Sequence, residues 1–288
     1  MDNNLLRRIL FAIVAIPAAL LVVWAGGWPL ALLVATIAVL GTRELFDIAA
    51  KQGIAAFRWT GMAAAAVGPL LVHAALTRDD ARLWLAECWM YVGAGFVLWV
   101  LGQALRARAP TERPLGAVAV TAFAVAYAGL LPAFVIGIRH GQFPQRSWAG
   151  AWLVFFPLVV TWVCDSAAMF GGRAFGGAKL APTISPGKTR SGGLAGVLGG
   201  VAIAPLFALV VFPRVGIELA VLPACVMALA LAVAGQLGDL AESLFKREAG
   251  VKDSSTLIPG HGGVLDRFDS LYVVLPTAAF CYHLLGLA

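Results

Sequence analysis

Two polar stretches interrupt an otherwise apolar sequence, and both carry residues suited to phosphate chemistry. Residues 246–270 read KREAGVKDSSTLIPGHGGVLDRFDS, and residues 171–193 read GGRAFGGAKLAPTISPGKTRSGG. With the segments beside them they supply carboxylates at Asp165, Asp239, Glu242, Asp266 and Asp269, and cations at Lys188, Arg190, Lys246, Arg247, Lys252 and Arg267. Acids that hold a hard divalent cation, next to bases that hold phosphate, are the working parts of phosphoryl or nucleotidyl transfer.

Each group has a plain reading beside the functional one. Asp165 sits in TWVCDSAAMFGG, where a carboxylate among Trp162, Val163 and Cys164 is costly in a membrane unless paired, hydrated or metal-bound. In AGQLGDLAESLFKRE, helical spacing puts Asp239, Glu242, Ser243 and Lys246 on one face through i+3 and i+4 steps. Two carboxylates and a hydroxyl suit Mg²⁺, and a Glu242–Lys246 pair at a solvated helix end is the plain alternative. Residues 171–193 hold seven glycines, Pro182, Pro186 and four cations. Glycines let the backbone approach a ligand closely, and N–H groups in such turns form anion-binding hollows. Positive charge beside a span is also routine. Gly187-Lys188-Thr189 is set apart from the nucleotide P-loop because position 182 is Pro where that motif needs Gly. The strand before and helix after that it also needs are not expected in this chain. In IPGHGGVLDRFDS, Pro259, Gly260, Gly262 and Gly263 enforce an irregular turn around His261, with Asp266 and Asp269 following at i, i+3.

The elements that must position these groups are membrane helices. Of the 288 residues 61% are hydrophobic and 12% charged, about half the ~25% of a soluble domain. Mean hydropathy is +0.88. A bilayer accepts such a chain, and each span needs about 20 apolar residues. Apolar runs at 9–26, 28–42, 59–77, 84–105, 115–138, 148–170, 194–212, 216–238 and 271–287 predict nine transmembrane helices, the second short enough to be tilted or re-entrant. The fold class is therefore all-α and polytopic, since a spanning segment must satisfy its own backbone hydrogen bonds and the short alternating segments of a β-barrel are missing. With a cytoplasmic N-terminus, alternating spans put 16 Lys and Arg on the inside and five (Arg78, Arg82, Arg139, Arg146 and Arg214) outside. That is strong positive-inside bias. The first run is too long for an ordinary signal peptide and reads as a retained span.

The net charge of +6 follows from this placement and not from nucleic-acid binding, for which no basic tract with interleaved aromatics is present. Cys88, Cys164, Cys225 and Cys281 form no CxxC pair and have no His at metal spacing, so neither a disulfide framework nor a zinc site is expected. Residues 1–110 read as transmembrane helices without a catalytic motif. Residues 111–288 read as the catalytic region, with cytoplasmic loops at 171–193 and 246–270.

The polar stretch that ends at Ser270, with Ser243 just before it, resembles the signature of the CDP-diacylglycerol synthases, or phosphatidate cytidylyltransferases. It carries Ser243, Lys246-Arg247, Lys252-Asp253, Pro259, His261-Gly262-Gly263, Asp266-Arg267 and Asp269 at that signature's gaps. The stretch at 171–193 is similar too, with Asp165 before it, Gly171, Gly176, Ser185-Pro186-Gly187-Lys188-Thr189 and Gly192, but has Ser191 where the family tends to have Glu. The resemblance implies that CTP and phosphatidic acid give CDP-diacylglycerol and pyrophosphate with Mg²⁺, one ion or two, in a homodimer of the cell's inner membrane. It implies metal ligands at Asp239, Asp266 and Asp165, and catalytic roles for these with Lys188, Lys246, Arg247, Lys252, His261 and Arg267. Substrate contacts are implied at Ser185, Lys188, Thr189, Arg190, Ser243, Lys252, Asp253, Gly262 and Gly263. An ion-coupled transporter and a lipid kinase are the competing readings. The first predicts flux without CTP consumption; the second predicts release of CDP instead of pyrophosphate.

Overall fold

A computed structural model describes residues 13, 17–258, 260 and 262–287. Residues 9–12 and 14–16 of the expected first span lie outside the described residues, as do Pro259 and His261; residues 17–25 are helical. The helices that follow are α1 (Gly27–Ala50), α2 (Arg58–Thr77), α3 (Asp79–Ala107) and α4 (Pro114–Ala124). A π-helical turn at Val125–Leu130 leads from α4 toward α5 (Phe134–His140). Then come α6 (Trp148–Phe175), a hairpin of β1 (Lys179–Ala181) and β2 (Ser185–Thr189), and α7 (Arg190–Ala202). The chain ends with α8 (Val221–Glu248), a four-residue α9 (Leu265–Phe268) and α10 (Leu271–Leu284).

Seven helical segments among the described residues are long and apolar enough to cross a membrane. The expected second span, read as short, is a 24-residue helix that carries Arg43, Glu44 and Asp47 past its apolar run. The expected last span forms a helix of 14 residues, α10, below the ~20 that cross a bilayer straight.

The chain divides into two compact units interleaved in sequence. The first contains Gly27–Gly137 and Glu248–Arg267; the second contains Val23–Gly26, Ile138–Arg247 and the segment from Phe268. In the first, α1 packs on α2 where Gly61 leaves room for the ring of Phe46. Thr121 Oγ1 accepts a hydrogen bond from the Phe57 amide at 2.9 Å, tying the start of α2 to α4. Only Val100 and Ala104 of α3 are buried, while Trp89, Met90, Leu98 and Trp99 face outward. A helix apolar on all sides and unburied by protein has lipid as its solvent.

In the second unit α6 and α7 pack through Gly192, Gly196 and Gly200, one face of α7 at steps of four. A Cβ at Gly196 would stand 2.9 Å from the Cys164 carbonyl oxygen, and one at Gly192 2.7 Å from that of Ala168. Small residues at this spacing let two backbones approach, which drives helix association where water is absent. Arg139 is fully buried and donates to the carbonyls of Val23 (2.7 Å), Trp24 (2.6 Å) and Pro144 (3.2 Å), so backbone dipoles solvate its charge. Tyr282 in α10 donates to the Leu153 carbonyl at 2.8 Å and fixes α10 on α6.

Candidate active site

The second unit contains a cavity of about 350 Å³ whose polar wall is Asp165 from α6, Lys188 and Thr189 from β2, and Gln236 and Asp239 from α8. The glycine-rich stretch makes this wall by folding as a hairpin. α6 ends at Gly176 (φ +57°), and Gly177 (φ +93°) continues the reversal; a side chain would be strained at either position. β1 and β2 pair antiparallel, Lys179 opposite Thr189 and Ala181 opposite Ser185. The chain then enters α7 with Thr189 as its N-cap, Oγ1 accepting from the Gly192 amide at 3.1 Å. A strand ending at Thr189 and a helix starting at Arg190 are therefore present, against the expectation from sequence. Gly187, Lys188 and Thr189 nevertheless lie within the strand and not in a loop between strand and helix, so no P-loop forms.

Ser191 stands where a glutamate was expected. Its hydroxyl donates to the Gly176 carbonyl and lies 3.1 Å from Thr189 Oγ1, closing the base of the hairpin. The residue belongs to the architecture of the loop.

Lys188 Nζ donates to Asp239 Oδ2 as an ion pair, each side chain about 29% exposed. Ser243 Oγ, one turn along α8, donates to the other carboxylate oxygen at 3.4 Å. Asp165 opens onto the same cavity. Glu242 pairs with Lys246 at 2.6 Å as in the plain reading, but the pair is buried and not at a solvated helix end, while Asp239 belongs to the cavity. Arg247 Nε donates to the Ile184 carbonyl at 3.2 Å, tying the end of α8 to the hairpin turn. The exposed Arg190 enters the hairpin through its backbone, its amide donating to the Ala178 carbonyl at 2.9 Å. Asp269 lies just before α10, outside the spans. Burial and the neighbouring Asp239 charge push its carboxyl up to about 6. Gly238 allows this approach, because a Cβ there would stand 2.7 Å from the Asp269 carbonyl oxygen.

The remaining motif residues, Lys252, Asp253, Gly262, Gly263, Asp266 and Arg267, belong to the first unit. There the loop closes on itself. Asp266 Oδ2 accepts from the Ser254 amide (2.9 Å) and the Gly263 amide (2.8 Å), and the Ser254 hydroxyl lies 2.9 Å from it. Ile258 donates to the Gly262 carbonyl at 2.8 Å across the turn, and Gly262 (φ +84°) takes the left-handed conformation. Glu44 of α1 lies beneath, 3% exposed. Its Oε1 accepts from Ser255 Oγ (2.7 Å) and the Val264 amide (3.0 Å), and its Oε2 from Ser254 Oγ (2.8 Å) and the Leu265 amide (2.8 Å). Reading the sequence missed Glu44, Ser254, Gln236 and Gly238. An acid inside the helical run GTRELFD, beside an apolar span, was the available signal for Glu44.

Among the described residues no three His, Cys, Asp or Glu side chains converge closely enough to hold a metal ion by themselves. What the cavity offers is a pair of carboxylates, Asp165 and Asp239, with Lys188 seated on one of them.

The profile of the cytidylyltransferase family matches residues 6–285, and the chain belongs to that family. Proteins named phosphatidate cytidylyltransferase are similar to it. The one from Haemophilus influenzae is 40% identical over 159 residues, covering 54% of this chain and 55% of that protein. The one from Bacillus subtilis is 40% identical over 164 residues, covering 57% and 56%. These two matches span about half the length of the relatives. The protein of that name from Brucella suis is 35% identical over 272 residues, covering 93% of this chain and 90% of its own.

Proposed function

We propose that the protein is a phosphatidate cytidylyltransferase, joining CTP and phosphatidic acid into CDP-diacylglycerol and pyrophosphate at the cytoplasmic face of the inner membrane. The observation that carries this reading is the Lys188–Asp239 pair in the wall of a cavity that Asp165 also lines. The lipid phosphate oxygen attacks the α-phosphorus of CTP, the bond from that phosphorus to the bridging oxygen breaks, and pyrophosphate leaves with the electron pair. The nucleophile is already an anion, so the chain needs no strong base. The task is to bring two polyanions together, which fixed cations accomplish by orientation and charge. Lys188 presents its ammonium where a phosphate can take it from Asp239. The motif assigns Lys252, Asp253, His261, Asp266 and Arg267 to the same reaction.

Magnesium is part of the proposal. Mg²⁺ is commonly held by one or two carboxylates, with substrate phosphates and water completing its shell. Asp239 and Asp165 fit that donor set, and Asp266 has one oxygen engaged by two loop amides. A bound ion would neutralise phosphate charge. A homodimer rests on the family resemblance alone, and light scattering of the solubilised protein checks it.

The test is to give the purified protein CTP labelled in the cytosine ring and phosphatidic acid, with and without Mg²⁺. The expected products are a labelled lipid and pyrophosphate, formed only with the metal. Release of CDP with no labelled lipid would put a lipid kinase in its place.

A further inference from the structure

We propose that Glu44 is a positioning residue for this reaction, the fixed point on which the loop at 252–267 is built. The inference rests on the proposed cytidylyl transfer for its kinetic half only. Glu44 is far from the motif in sequence, yet its carboxylate takes four donors from Ser254, Ser255, Val264 and Leu265, all within 3.0 Å. These donors lie on both sides of the Ile258–Gly262 bridge, so one side chain ties together the two arms of the loop. Asp266 Oδ2 repeats the clasp from within, accepting from Ser254 and Gly263. The Ser254 hydroxyl lies within hydrogen-bond distance of both acids. Gly263 is required at the centre, because any side chain there would collide with Ser254 Oγ and the Glu44 carboxylate.

An ionised carboxylate at the end of an apolar helix is costly to bury unless it is fully hydrogen-bonded. Here the loop supplies the donors and the helix supplies the charge, so each is stable only with the other. Glu44 itself touches no phosphate in this account. It fixes the backbone that carries Lys252, Asp266 and Arg267, and loosening that backbone misplaces charges whose value depends on position.

Two measurements on the full-length protein in detergent test the proposal: hydrogen–deuterium exchange without substrate, and steady-state kinetics. In Glu44→Gln an amide NH₂ replaces an acceptor and faces donors. Amide exchange across 254–265 is expected to rise at least tenfold, with the helices of the second unit unchanged. kcat for CTP turnover is expected to fall about 100-fold with a raised KM for CTP. Ser255→Ala, which removes one donor of the four, is expected to show the same pattern in milder form and keeps the proposal testable should Glu44→Gln fail to fold. Glu44→Asp is expected to recover part of both readouts. A drop in apparent kcat at unchanged KM would mean only that less protein is folded, and would overturn the positioning role. Wild-type exchange at 254–265 in Glu44→Gln would overturn it too. Should wild-type protein fail to make any cytidine-bearing lipid, the functional reading falls, while the exchange measurement still decides whether Glu44 holds the loop.

Discussion

Lys188 and Asp239 pair at the edge of a cavity, where water still reaches both. A partly exposed pair of this kind adds little to stability, so under the proposed function its weight falls on binding. In the proposed reaction Lys188 would hold Asp239 until a phosphate competes for the ammonium, and Asp239 would keep Lys188 directed into the cavity. Replacing either should therefore cost turnover while leaving the fold intact. Lys188→Met and Asp239→Asn are each expected to lower kcat/KM for CTP about 100- to 1,000-fold, the range for removing one preorganised electrostatic partner. The double variant is expected to lose far less than the product of the two, since groups acting as a unit are non-additive. Steady-state kinetics on the four proteins, with unchanged thermal unfolding as the control, checks this. Near-normal activity in Asp239→Asn would remove that carboxylate from the site.

At the level of elements, the hairpin and the glycine face of α7 show what a sequence discloses and what it hides. The glycines, Pro182, Pro186 and the charges at 171–193 marked the stretch as special, and Lys188 and Thr189 do line the cavity. That the stretch would fold as two short strands was not legible, because β1 and β2 are stabilised by their pairing and by Ser191 and Thr189, not by strand propensity. The i, i+4, i+8 glycines at 192, 196 and 200 were present to be read, but their effect depends on which helix lies opposite. Long apolar runs were legible throughout, since hydropathy is a property of the segment alone. Glu44 was hidden for the opposite reason: all four donors to its carboxylate come from residues more than two hundred positions away. The α6–α7 contact gives a prediction of its own. Gly196→Leu is expected to destabilise the protein by about 1–3 kcal/mol through forced separation of the helices. Gly93→Ala, on α3 with nothing within 4 Å of the added carbon, is expected to leave stability unchanged or slightly raised. Thermal unfolding in detergent, monitored side by side, separates the two.

For the whole molecule the question is which way the chain faces. CTP is a cytoplasmic solute, so the cavity and the 252–267 loop must open inward for the proposed reaction to run. Charge placement argues for it: the exposed cations near both lie among the 16 of the inside set, while Arg78 and Arg214 belong to the sparse set opposite. The bias acts during insertion, through retention of positively charged segments on the cytoplasmic side, so it is a statement about topology that packing within either unit does not alter. Single-cysteine variants test it directly. Lys51→Cys and Lys179→Cys are expected to resist a membrane-impermeant maleimide in intact cells and to label only after the membrane is opened. Arg78→Cys and Arg214→Cys are expected to label from outside at once. All four positions are exposed, so access depends on the membrane and not on burial. Labelling of Lys179→Cys from the exterior would place the Lys188 hairpin on the side without CTP, and the catalytic reading would fall with the topology.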